Sequence, residues 1–235
     1  MSVTFIGDVH GWSDRLERLL AKVRPPLVFV GDLIDRGPDV LGVLARVHAL
    51  CDAGEAHCLL GNHEYALLRG IGSPVLGIEP DAAFYAAWHQ RFGGAAVLQA
   101  CGVTSDDLPG LRHELRAHLG WLAGLPWVME GSEGRRHWVA VHAGLDAGEL
   151  RPQVRELHDA WHHDNGYPPA LFDKERAWMV PSDLPEEWCV VSGHMPLAEV
   201  VVTPQRILCD TSGGMPNRPL SAVVWPEGRV VTSES

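Results

Sequence analysis

The stretch VTFIGDVHGWSDRLERLLAKVRPPLVFVGDLIDRGPDVLGVLARVHALCDAGEAHCLLGNHE (residues 3–64) decides the fold. It opens on an apolar run, Val3 to Ile6, that reads as a buried strand. Leu16, Leu19, Leu20 and Val23 then recur at helical spacing over residues 13–23, with Ser13 as the expected N-cap. Pro25-Pro26 breaks that helix, and Leu27 to Val30 is the second strand. Pro38 suits the first turn of a helix whose apolar face is Val40, Val43, Leu44, Val47 and Leu50. Ala56 to Leu60 is the third strand. Parallel neighbours need long crossovers, so this order predicts an α/β fold with a parallel sheet covered by helices.

Each of these strands ends in a gapless polar cluster: Gly7-Asp8-Val9-His10-Gly11, then Gly31-Asp32-Leu33-Ile34-Asp35-Arg36-Gly37, then Gly61-Asn62-His63-Glu64. Two later strands do the same, ending in Val141-His142-Ala143-Gly144 and Ser192-Gly193-His194-Met195-Pro196. Open α/β sheets bind ligands at the carboxyl ends of their strands, so the five clusters are expected to converge. Asp, Asn and His are hard to borderline donors that suit Mn, Fe, Zn or Co. An arginine beside carboxylates suits a phosphate oxygen. Taken singly, each cluster is more often a polar turn or a helix start. In this order, each behind an apolar strand, together they point to a metal site.

Farther along, residues 66–135 read as helical and loop-rich, with Phe84, Tyr85, Trp88 and Phe92, then Leu111, Leu115, Leu119 and Leu122, as core stripes. Strands are expected again at Trp138–Val141, Cys189–Val191, Val200–Val202, Ile207–Cys209 and Ala222–Trp225, whereas 151–187 carries little periodic signal. There is no internal repeat, low-complexity tract or linker, and residues 1–235 read as one domain. The five cysteines are odd in number and form no C-x-x-C pair, which suits reduced, buried thiols and a cytoplasmic location. No apolar run approaches the ~18 residues of a membrane span. A formal charge of -11 argues against a nucleic-acid partner.

GDVHG (7–11), GDLIDRGP (31–38), GNHE (61–64), VHAG (141–144) and SGHMP (192–196) stand in the order of the calcineurin-like metallophosphoesterases, and the sequence resembles their phosphoprotein phosphatase branch. RFGG (91–94), LPW (125–127) and LCDTSGG (208–214) resemble its bacterial members. The resemblance implies a β-sandwich flanked by α-helices, in α/β/β/α layers, with a dimetal site at strand carboxyl ends. It implies that Asp8 and His10 bind a first metal, that Asp32 bridges, and that Asn62, His142 and His194 bind a second. His63 is then the catalytic histidine, oriented by Asp35, and Arg36 holds the phosphate. The cofactors implied are two divalent ions, manganese foremost, with Fe, Zn, Co or Ni as alternatives.

Two departures stand out. Val180 sits in Trp178-Met179-Val180 where bacterial relatives carry a second phosphate-binding arginine, with Arg176 and Lys174 as nearby substitutes; Met195 sits where threonine is usual. The expected activity is a phosphomonoesterase of the protein serine/threonine phosphatase kind. The alternatives are a symmetrical diadenosine tetraphosphate hydrolase and a broad small-molecule phosphatase. The substrate is accordingly a phosphorylated protein or a small phosphoester. A catalytically dead scaffold disagrees with the complete ligand set. Oligomeric state is not legible.

Overall fold

The computed structural model describes residues 2–160 and 166–234. Strands β1 (Val3–Ile6), β2 (Leu27–Phe29) and β3 (Ala56–Cys58) alternate with helices α1 (Ser13–Leu20) and α2 (Val40–Asp52). After β3 come α3 (Asn62–Ile71), α4 (Ala82–Ala87), a π-helical turn at Trp88–Phe92, α5 (Ala95–Cys101) and α6 (Leu108–Ala123). Then follow β4 (Val128–Glu133), β5 (Arg136–Val141), α7 (Leu150–His158), α8 (Pro169–Phe172) and a 3₁₀ turn at Lys174–Trp178. The chain closes with β6 (Trp188–Ser192), β7 (Val201–Val202), β8 (Arg206–Leu208), β9 (Ser221–Trp225) and β10 (Arg229–Thr232).

The strands form two sheets, β10-β9-β1-β2-β3 and β4-β5-β6-β8-β7. As expected from the βαβαβ order, β1 pairs parallel with β2 and β2 with β3. The period-2 alternation of a strand explains why these runs are apolar throughout. Val3, Phe5, Val28 and Val30 point into the space between the sheets and meet Trp138, Ala140, Cys189, Val191 and Ile207. Ile6, Leu27 and Phe29 point the other way, into the layer filled by Leu16, Leu19, Val43, Leu44 and Val47 of α1 and α2. The result is the expected sandwich with helices outside.

Several local expectations need correction. Ser13 is the first helical residue of α1, not its cap; Trp12 precedes it, and no side chain caps that end. Pro38 lies ahead of α2, whose cap is Asp39, its carboxylate accepting the Gly42 N–H. The third strand ends at Cys58 rather than Leu60. Within the stretch read as helix and loop, Val128–Glu133 is a strand, and β10 was not expected at all. Both lie at sheet edges and are mostly exposed or half-buried, without a continuous apolar run. Pairing partners, which a single sequence does not reveal, make them strands. The weak stretch 151–187 holds α7, α8 and the 3₁₀ turn; its residues 161–165 lie outside the described residues. Among the described residues no helix is long and apolar enough to cross a membrane.

Candidate active site

The carboxyl ends of β1, β2, β3, β5 and β6 meet at one place, and every site residue expected from the sequence is there. Asp8, His10, Asp32, Asp35, Asn62, His63 and His142 are all at most 3 % exposed. Five of the site residues also carry a backbone cost. His10, Asp32, Asp35, Arg36 and His194 have φ between 48° and 70°, and they are the only non-glycine residues with positive φ among those described. Such conformations cost of order 1–3 kcal/mol each and persist where the surroundings over-determine them.

Two triads of side chains whose donor atoms could hold a metal ion share one residue. His10, Asp32 and His63 form one, and Asp32, His142 and His194 the other, with the donor atoms of each within 4.8 Å of one another. Asn62 joins the second: its Oδ1 lies 2.8 Å from His142 Nε2 and 2.9 Å from His194 Nδ1. Buried partners orient the imidazoles. His142 Nδ1 faces the Val30 carbonyl at 2.7 Å and His10 Nδ1 faces the Ile34 carbonyl at 2.9 Å, which turns each Nε2 inward. His194 is held the other way round, with Nε2 on the Phe172 carbonyl at 3.1 Å. Burial pushes the pKa values of His10 and His194 down to about 4, so both rings are neutral at pH 7, the form that ligates a metal. At His142 burial also pulls downward, but the Asp32 charge and hydrogen bond outweigh it and raise the pKa.

Asp8 stands apart from both triads. Its carboxylate accepts the His194 backbone N–H, at 3.0 and 3.2 Å. Burial, then the neighbouring Asp210 and Asp32 charges, hold its pKa well above the usual carboxylate range. Buried carboxylates in one cluster are stabilised by positive charge, and the donor set of imidazoles, carboxylates and an amide oxygen fits a pair of divalent cations.

Beside the first triad His63 pairs with Asp35. His63 Nδ1 is 2.6 Å from Asp35 Oδ2. Trp88 Nε1 donates to both Asp35 oxygens, at 3.0 and 3.1 Å, so that carboxylate is gripped from two sides. Burial raises the Asp35 pKa, helped by Glu64 and Asp32, and burial lowers that of His63. Arg36 donates from Nη2 to His63 Nε2 at 3.0 Å, and from Nη1 to His10 Nε2 at 3.1 Å and to the Gly213 carbonyl at 2.7 Å.

Residues without an assigned role in the sequence complete the site. Trp88, read there as core, opens the π-helical turn, whose other end places Phe92 5.2 Å from the His63 ring. The closing segment DTSGG (210–214) supports Arg36. Asp210 accepts the Gly213 N–H at 2.8 Å, Ser212 Oγ donates to the Asp8 carbonyl at 2.7 Å, and a side chain at Gly214 would meet Arg36 Cδ at 2.5 Å. Of the two candidate substitutes for the missing arginine, Arg176 is bound to Asp146 at 3.0 Å, whereas Lys174 is exposed and within electrostatic reach of His194.

Glu64 organises the whole β2 exit loop. Fully buried, it accepts the N–H groups of Asp32 (2.9 Å), Leu33 (2.8 Å), Ile34 (3.1 Å) and Gly61 (3.1 Å). Its position inside the GNHE motif was a signal, but three of its four partners lie some 30 residues away and are visible only in the fold. Glu64→Ala orphans four buried donors and is expected to destabilise the protein by about 3–5 kcal/mol. Urea unfolding measures this, and a midpoint equal to that of the parent protein would refute the organising role.

The Calcineurin-like phosphoesterase family matches residues 1–221. The chain belongs to that family. Its matches to symmetrical bis(5'-nucleosyl)-tetraphosphatases span about a quarter to just over half of the length of those relatives. It is similar to the symmetrical bis(5'-nucleosyl)-tetraphosphatase of Xanthomonas axonopodis pv. citri, 32 % identical over 75 % of this chain and 56 % of that longer protein. It is also similar to the asymmetrical bis(5'-nucleosyl)-tetraphosphatase PrpE of Oceanobacillus iheyensis, 26 % identical over 100 % of this chain and 93 % of that protein. Among solved structures, a serine/threonine phosphatase from Saccharomyces cerevisiae shares the fold, with a TM-score of 0.59 at 14 % identity over 99 % of this chain and 79 % of that one.

Proposed function

We propose that this chain hydrolyses dinucleoside polyphosphates, with diadenosine tetraphosphate as the representative substrate. The observation that carries the reading is the pair of donor triads sharing Asp32, set beside His63 and Arg36. The substrate class is supported by the relatives, which are bis(5'-nucleosyl)-tetraphosphatases of both the symmetrical and asymmetrical kinds. The sequence alone favoured a protein serine/threonine phosphatase; the relatives favour the alternative.

In this reading His10, Asp32, Asn62, His142 and His194, with Asp8 from β1, hold two divalent ions, manganese being the first to try. When bound, such ions polarise phosphoryl oxygens and lower the pKa of water. Arg36 binds a phosphate oxygen and stabilises the charge that grows on the equatorial oxygens. His63 Nε2 accepts from Arg36 in the free protein; with Arg36 turned to the phosphate, Nε2 takes up a proton from solvent and passes it to the departing phosphate oxygen. Asp35, gripped by Trp88, keeps the His63 ring oriented with Nδ1–H toward its carboxylate. Lys174, rather than Arg176, is the cation free to meet an outer phosphate of the chain.

The test is catalytic efficiency of the manganese-loaded protein on diadenosine tetraphosphate and on a phosphoserine peptide, with a metal-stripped control. A preference of at least ~10-fold for the dinucleotide is expected, the scale of one well-made specificity contact. A preference for the peptide would return the assignment to a protein phosphatase. Product analysis then settles the scissile bond: ADP alone marks symmetrical cleavage, ATP with AMP asymmetrical cleavage.

A further inference from the structure

A row of aromatic rings leads from the candidate active site to the surface. Phe92 meets the His63 ring edge-on at 5.2 Å, Phe172 lies 6.1 Å beyond Phe92, and Tyr167 lies 5.0 Å beyond Phe172. Tyr167 also leans on Phe84 at 4.7 Å, and with 49 % of its surface exposed it is one of the few large apolar side chains left to solvent. The row is tied to the ligand cluster through the Phe172 carbonyl, 3.1 Å from His194 Nε2. Phe92 and Phe172 are partly buried against the hydrophobic core, Phe172 also meeting Tyr65 at 5.8 Å, and Tyr167 is the exposed end of the row.

We propose that Phe92, Phe172 and Tyr167 form a stacking wall for the base of the nucleoside carried by the leaving group. The assignment rests on the reading of His63 as the proton donor to that group in a nucleotide hydrolase. It follows from position and chemistry. A flat base has a π-face that stacks on aromatic side chains whatever its identity, at modest entropic cost. Lys174, two residues after Phe172 and exposed, supplies positive charge beside the same approach. The wall also extends past the reach of a simple aromatic phosphate. In an aryl phosphate only the ester oxygen separates ring from phosphorus, which keeps the ring near Phe92, whereas a ribose between phosphate and base would carry the base farther out, toward Tyr167.

The experiment is calorimetric titration of the manganese-loaded full chain with AMP, ribose 5-phosphate and O-phosphotyrosine. AMP is expected to bind about tenfold tighter than ribose 5-phosphate, which lacks only the base. Tyr167→Ala is expected to erase that difference while leaving ribose 5-phosphate and O-phosphotyrosine unchanged, and Tyr167→Phe to keep it. Equal affinities for AMP and ribose 5-phosphate in the parent protein overturn the wall. So does an equal loss for all three ligands in Tyr167→Ala, or a loss confined to O-phosphotyrosine. The readout needs no turnover, so the two readings fail separately. A protein that ignores diadenosine tetraphosphate yet shows a Tyr167-dependent AMP advantage keeps the wall and loses the proposed substrate. One that cleaves the dinucleotide without that advantage keeps the substrate and loses the wall.

Discussion

Asp32→Ala is expected to empty both metal positions at once, taking the manganese content from about two ions per chain to well below one and abolishing hydrolysis with it. The reason is geometric: Asp32 alone belongs to both donor triads, and its removal leaves each with two histidines. No other single ligand should have this effect. His194→Ala, touching only the second triad, is expected to leave the first ion in place. Elemental analysis of the purified variant reads the outcome directly, with circular dichroism to confirm folding, because the Asp32 carboxylate also accepts the His63 backbone N–H at 3.1 Å. Full occupancy in Asp32→Ala would remove the bridging role.

The second large effect is at His63. His63→Ala is expected to lower the turnover number by ~10²–10⁴ with metal content near that of the parent protein, the signature of a lost general acid. The structure sharpens this test. His63 Nε2 lies 3.6 Å from Asp32 Oδ2, and the ring belongs to the first donor triad, in the place where the sequence put Asp8. A proton donor and a ligand therefore compete for one side chain. Nδ1 is committed to Asp35, and Nε2 accepts from the guanidinium of Arg36, so the donor role requires Arg36 to turn to the phosphate and leave Nε2 open to a proton. Loss of one ion from His63→Ala would falsify the general-acid assignment and make Asp8 the residue to reassign.

The two experiments bear on how the fold spends its stability. Nearly all of the site's polar groups are buried, and its tightest turns hold five non-glycine residues at positive φ. Glu64 is what makes the β2 exit loop affordable, since one carboxylate satisfies four backbone donors that would otherwise be desolvated without partners. Stability effects at Glu64 and chemical effects at His63 should thus separate cleanly, although the two residues are adjacent.

By itself the sequence carried the parallel order of the first three strands and the polar residues gathered at strand ends. Apolar runs at Val3–Ile6 and Leu27–Val30, each followed by a gapless cluster of Asp, His and Gly, carry that information locally, because strand period and strand-end chemistry depend on neighbours in the chain. Only the tertiary structure decided the rest. The edge strands β4 and β10 lack a continuous apolar run and become strands through their partners. Glu64, Trp88 and the segment Asp210–Gly214 acquire their work from contacts made far along the chain, Glu64 to Asp32, Trp88 to Asp35, Gly213 to Arg36. Arg176 and Lys174 look alike in sequence, but an ion pair with Asp146 occupies the first while the second stays exposed. A wall running from Phe92 through Phe172 to Tyr167 is a fact of space alone, since its rings come from a π-helical turn and a segment more than seventy residues farther on.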